Sequence, residues 1–187
     1  MSTPSEEVLS LLAYRLHAVS IAHFALRHAL AWNQTPSIEI LFDGQQVVEG
    51  KATAFTNGAI EAGIVHSRAL LEFLGLSGKS QTELREVTAR SKTDDISIEQ
   101  FAGLSKVSIQ KAIQSYPGPS EEAEGALAYV VYLANKGLAS SFTQHDSGSV
   151  LLEVAFRGVL ALVCNNFYIP LKIEPPGYEL QGRKRAV

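Results

Sequence analysis

The chain has 187 residues, of which 46% are hydrophobic and 19% are charged, and its formal net charge is -3. This length and composition are typical of one soluble globular domain and exclude an intrinsically disordered chain. The acidic net charge also excludes a surface built mainly for the phosphate backbone of nucleic acids, while leaving room for a local basic patch.

The first predicted element is a helix over residues 6–32, where apolar side chains recur at intervals of three and four. Ser5 is placed to cap its first turn. Its histidines are interpreted as partly exposed side chains of a bundle, with His23 close to Arg27 one turn later. Residues 33–50 break the helical pattern, and the run IEILF within them is either a short strand or a wrapped loop.

Four further helices and one polar segment are predicted after residue 50. A second helix is predicted over 51–75, because it ends at a glycine suited to a helix C-cap. The very polar residues 77–95 are predicted to form a loop or a marginal helix. Helices are then expected over about 97–114, 120–142 and 149–167. Together these elements predict an all-α, up-down-like bundle of about five helices, with fewer than about a tenth of the residues in strands.

The predicted domain organisation is one helical bundle over residues 1–170, followed by a flexible basic tail over 171–187. The last helix is apolar nearly all round, apart from Glu153 and Arg157, so we expect it to be the most buried element.

The single cysteine, Cys164, excludes a disulfide within the chain and indicates a reducing compartment. It is interpreted as a small buried apolar side chain. No CxxC or HExxH spacing is present, so we predict neither a metal site nor a cofactor. The acidic N-terminal segment and the short, charge-interrupted apolar runs predict a cytoplasmic protein without a membrane segment.

Three motifs follow one another along the chain: HSRALLEFL at 66–74, DDISIEQF at 94–101 and LANKGLASSFTQH at 133–145. Over residues 51–167 this order resembles the HEPN-like group of all-α proteins. The distance from the Arg to the Phe in the first motif is one residue shorter than in that pattern. The matched positions are His66, Arg68, Phe73, Leu74, Asp94, Asp95, Phe101 and His145.

The resemblance implies a helical bundle, often a homodimer, with RNA or a protein as its partner. Many HEPN-like proteins are metal-independent ribonucleases in prokaryotic defence systems, with an Arg followed after four to six residues by a His. No Arg of this chain is followed by His at that distance. The first hypothesis is therefore a non-catalytic interaction or regulatory module of a defence or stress system.

The alternative hypothesis is a ribonuclease that uses Arg68 to hold the phosphate and His145 as the acid/base catalyst, with the RNA 2′-OH as nucleophile. A structural role for Arg68 competes with it, as a largely buried ion-pair anchor for nearby carboxylates. Those carboxylates are Glu61, Glu72, Asp94 and Asp95. Asp94 and Asp95 are also interpreted as helix N-caps rather than a metal pair. The candidate binding residues are His66, Glu72, Asp94, Asp95 and Lys136.

Overall fold

The computed structural model describes residues 3–87, 96–136 and 147–177. Its helices are α1 (Glu6–Leu30), α2 (Thr53–Leu74), α3 (Ile109–Gln114), α4 (Ser120–Lys136), α5 (Ser147–Val163) and α6 (Ile169–Leu171). A 3₁₀ turn covers Ile98–Gln100 and a π-helical turn covers Cys164–Tyr168. Two hairpins are formed by β1 (Ser37–Phe42) with β2 (Gln45–Lys51), and by β3 (Leu76–Gly78) with β4 (Leu84–Glu86). The prediction of a mostly helical chain is confirmed.

The first two helices begin and end close to the predicted residues because their local signals are strong. The Ser5 hydroxyl accepts a hydrogen bond from the Val8 amide at 3.3 Å, which satisfies one of the unpaired donors of the first turn. Gly75 ends α2 with a φ of 93°, a left-handed conformation that disfavours any side chain.

The core forms where α1, α2, α4 and α5 pack on one another. At the crossing of α1 and α2 the backbones come so close that a Cβ atom on Gly63 would collide with the Ala22 side chain. The Phe156 ring of α5 packs against the same point and is fully buried. Tight packing around Gly63 therefore fixes how α1, α2 and α5 are arranged.

Residues 33–50 fold largely as a β-hairpin, which decides between the two predicted alternatives. Asp43 and Gly44 both have positive φ, at 51° and 81°, the conformation of the tight turns that match the twist of a hairpin. With 6, 7, 3 and 3 residues, the four strands in the described part slightly exceed the expected tenth of the chain.

Where it is described, the polar segment 77–95 contains a loop between two short strands, so the loop alternative holds in part and the described residues form no helix. Strand β3 pairs with β4, with Leu76 opposite Glu86, and Leu76 and Leu84 are buried against the bundle. The burial of Leu76 and Leu84 anchors both strands of this hairpin to the core. Residues 88–95 lie outside the described part of the chain.

The predicted helix over 97–114 is wrong in its first half. After the 3₁₀ turn, Gly103 adopts a φ of 76°, which an α-helix does not allow. The chain then has no regular secondary structure until the Ser108 hydroxyl caps α3 by accepting from the Lys111 amide at 3.2 Å. The Val107 amide donates to the Leu74 carbonyl at 2.8 Å and holds this irregular segment against the end of α2.

The last helical segment runs further than predicted, from Ser147 through the π-helical turn to Leu171. By length and composition, Glu6–Leu30 and Gly148–Leu171 could each cross a membrane, with mean hydropathies of 1.4 and 1.6. The expectation that the apolar runs are too short is therefore wrong. Because 56% of the second window is buried in the bundle, its hydropathy is explained by the core, and the cytoplasmic location remains our prediction.

The first residues of the predicted tail lie against the bundle. His17 Nε2 donates to the Gly177 carbonyl at 2.6 Å, which connects this segment to α1. Residues 178–187 lie outside the described part, as does the predicted extension of the 120–142 helix beyond Lys136.

Candidate functional site

Arg68 lies on the solvent side of α2, where its Nε donates to Glu72 Oε1 at 2.9 Å. The two side chains are 41% and 42% exposed, so the prediction of a largely buried anchor is wrong. The partner is one of the four carboxylates proposed. Position 68 lies at the edge of the solvent-facing side of α2, because its neighbours one turn before and after, Ile64 and Leu71, are buried.

His66 faces α1 rather than Arg68. Its ring makes an edge-on contact with Tyr14, with 5.2 Å between the centroids. Burial lowers the pKa of His66 below its usual value, and the positive charge of Arg15 lowers this pKa further. A neutral imidazole in the groove between α1 and α2 is therefore favoured.

The other predicted site residues are not brought to Arg68 by the described part of the fold. Lys136 lies at the exposed end of α4, with its Nζ 5.8 Å from the Tyr132 ring centroid. Asp94, Asp95 and His145 lie outside the described residues. Among the positions that are described, Arg68 is therefore joined to Glu72 alone.

A polar cluster that the sequence did not reveal as a unit joins α1 to α5. His23 Nε2 donates to Glu153 Oε1 at 2.8 Å, and the second carboxylate oxygen lies 3.7 Å from Arg157 Nη2. The same Arg157 nitrogen donates to the Tyr116 hydroxyl at 3.1 Å. We call these four residues the α1–α5 cluster. His23 was expected near Arg27, and its actual partner comes from a helix 130 residues away.

The α1–α5 cluster contains an imidazole, a carboxylate and a guanidinium. Solvent reaches its side chains only in part, and the opposite charges of Glu153 and Arg157 offset each other. The side chains of His23 and Glu153 are 21% and 25% exposed, and Tyr116 is buried. Tyr116 also lies under the Arg157 guanidinium, 5.9 Å from its ring centroid. The only sequence signal for this cluster was the pair of charges in the otherwise apolar α5. Its geometry is that of a bridge between helices.

Cys164 and Tyr168 lie one turn apart near the end of the last helical segment. Burial raises the pKa of the Cys164 thiol, which disfavours the reactive thiolate. Burial also raises the pKa of Tyr168 to about 12, and the Cys164 thiolate contributes to this rise. Cys164 is half-buried rather than enclosed. The part of the chain that the structure describes contains no group of three or more His, Cys, Asp or Glu placed to hold a metal ion.

The β1–β2 hairpin forms an arm that packs mainly against itself, and we call residues 37–51 the arm. Its exposed large apolar side chains are Leu41 (53%), Phe42 (66%), Val47 (48%) and Val48 (48%). Every residue of β2 is exposed. At the base of the arm, the Ala52 amide donates to the Pro36 carbonyl at 2.9 Å, which closes the hairpin onto the start of α2.

Comparison of this chain with protein-family models, with curated proteins and with solved structures found no match.

Proposed function

We propose that this protein is a HEPN-like, non-catalytic interaction module of a prokaryotic defence or stress system, acting in the cytoplasm. The observation that supports the interaction role is the arm, whose four large apolar side chains are all about half exposed or more. Soluble proteins seldom leave such a group uncovered, and apolar surface of this kind is typical of partner-binding sites.

The arm offers a partner both backbone and side-chain contacts. In the described part of the fold, β1 and β2 form a two-stranded sheet, so each strand has one edge without a neighbouring strand. An extended segment of a partner can pair with such an edge through main-chain hydrogen bonds. Glu39 and Glu49 lie directly opposite each other, and like charges in this arrangement repel. A partner strand with basic residues would relieve that repulsion.

The test makes two of the four exposed apolar side chains of the arm polar and leaves its turn residues, Asp43 and Gly44, unchanged. We expect the variant Phe42→Ser/Val48→Thr to lose the proteins that co-purify with the wild type from its native host, while its melting temperature stays unchanged. The matched control is Val150→Ser on α5. Val150 is 59% exposed, comparable to the arm residues, but it lies outside the arm. Partners retained by the arm variant at wild-type levels would reject the arm as the contact surface.

A metal-independent ribonuclease acting through Arg68 and His145 is the second candidate. One observation favours it. Arg68 is 41% exposed, and its Nη1 and Nη2 donors have no hydrogen-bond partner among the described residues, so they are available to a phosphate. This candidate predicts that purified wild-type protein cleaves RNA without metal, and that Arg68→Ala and His145→Ala abolish cleavage. A wild type without RNA cleavage would reject this candidate.

A further inference from the structure

The solvent face of α2 carries a seam with the spacing of a coiled coil. Phe55 and Val65 are 41% and 46% exposed on this face, and the space beside Gly58 is open. Successive positions are separated alternately by three and four residues, the heptad pattern by which one helix packs on another. The seam consists of Phe55, Gly58, Ala62, Val65, Ala69 and Glu72.

Two opposite charges lie along one flank of this seam. Glu61 and Arg68 are seven residues apart, which is nearly two full turns, so both side chains leave α2 on the same side. Glu61 forms no ion pair within the described ranges, and Arg68 uses only its Nε for Glu72. Both side chains can therefore form a further ion pair.

We propose that a second copy of this chain docks on this face, with the two α2 helices antiparallel about a two-fold axis. Glu61 of each copy then lies opposite Arg68 of the other, so the contact contains two identical ion pairs. The same register places Ala62 opposite Val65, and Gly58 opposite Ala69. Each residue of the seam is thereby covered by a residue of the same seam.

The positions of Glu61 and Arg68 favour a second copy of the chain as the partner, and an antiparallel direction of its α2. In antiparallel coiled coils the same flank of both helices meets, which brings Glu61 to Arg68. In a parallel pair Glu61 would instead face the position of His66, and Arg68 would face the buried Phe73, so both ion pairs would be lost. Reciprocal charge complementarity therefore favours a second copy in the antiparallel orientation.

The size of the seam predicts a weak, concentration-dependent dimer. From Phe55 to Glu72 it is roughly 26 Å long at about 1.5 Å per residue. A contact about 10–12 Å wide then covers on the order of 300 Å² per copy, well below the roughly 800 Å² of a standard interface. Tyr14, which is 63% exposed and touches His66 beside the seam, extends this surface.

Sedimentation equilibrium of the full chain between about 1 µM and about 1 mM tests the proposal. We expect the wild type to dimerise within this range, Val65→Arg to remain monomeric, and the exposed control Val150→Arg to dimerise like the wild type. A wild type that stays monomeric throughout overturns the proposal, and so does a dimer that Val65→Arg leaves intact.

Charge reversal tests the register. Glu61→Arg alone and Arg68→Glu alone should each weaken the dimer by about tenfold, because two attractive pairs become repulsive in each case. The double variant should return to within about threefold of the wild type. The control exchange Lys79→Glu/Glu83→Lys reverses an exposed pair outside the seam and should change nothing. A double variant that stays as weak as the single ones overturns the antiparallel register.

This proposal concerns a face distinct from the arm, so the two can fail separately. Phe42→Ser/Val48→Thr is expected to keep the dimer and lose the partner, whereas Val65→Arg is expected to keep the partner and lose the dimer.

Discussion

At the scale of single residues, Arg68 shows how a position on a helix sets the energetic value of a charge. Breaking a buried ion pair leaves one charge uncompensated, which lowers the free energy of unfolding by about 3–5 kcal/mol. Arg68 and Glu72 are instead both more than two-fifths exposed, where such i,i+4 pairs contribute about 0.3–0.5 kcal/mol.

We therefore expect Arg68→Ala to lower the free energy of unfolding by less than about 1 kcal/mol. Urea denaturation of the wild type, Arg68→Ala, Glu72→Ala and the double variant measures both the loss and the coupling of the pair. A loss above about 3 kcal/mol would restore the buried-anchor role.

His66 gives the fold a defined response to pH. Its folded pKa is lowered, so the unfolded chain takes up a proton first as the pH falls below the usual histidine pKa of about 6.5. The free energy of unfolding should therefore decrease from pH 7 to pH 5, and this decrease should be smaller in His66→Gln. The control is His28→Gln, at an exposed position of α1. Equal slopes for the wild type and His66→Gln would contradict the prediction.

At the scale of elements, the α1–α5 cluster acts as a polar bridge inside an apolar bundle. Glu153 accepts a hydrogen bond from His23 and lies within ion-pair distance of Arg157, so its loss leaves two half-buried donors without their carboxylate. We expect Glu153→Ala to lower the free energy of unfolding by about 1–3 kcal/mol.

Glu153→Gln should have a smaller effect, because its amide oxygen still accepts from His23. Chemical denaturation at pH 7 compares both variants with Glu72→Ala, which removes an exposed carboxylate of α2. Losses for Glu153→Ala no larger than for Glu72→Ala would show that the bridge contributes no more than a surface pair.

At the scale of the whole molecule, α5 occupies the centre of the bundle and packs against α1, α2 and α4. Leu152, Phe156 and Leu162 are fully buried, although Leu151 and Leu160 on the same helix are only partly covered. Amides within 152–163 should therefore exchange with solvent only through global unfolding. Hydrogen exchange should give them the slowest rates of the chain, and the amides of the exposed arm should exchange much faster. Fast exchange through 152–163 would contradict the central position of α5.

The amino-acid sequence by itself determined the helices whose signals are local. The cap at Ser5, the left-handed Gly75 and the three-four spacing of apolar residues predicted α1 and α2, because such signals act within one or two helical turns. The predicted helix over 97–114 failed where Gly103 and a contact with the end of α2 override a weak helical pattern.

Only the tertiary structure decided which side chains meet. The pairing of His23 with Glu153 depends on how α1 crosses α5, and that crossing is fixed by close packing at Gly63 and Phe156 rather than by spacing along the chain. The exposure of Arg68 likewise depends on which face of α2 the other helices cover. The sequence could name Glu72 as one of its partners because four residues make one helical turn, but burial is a property of the assembled bundle.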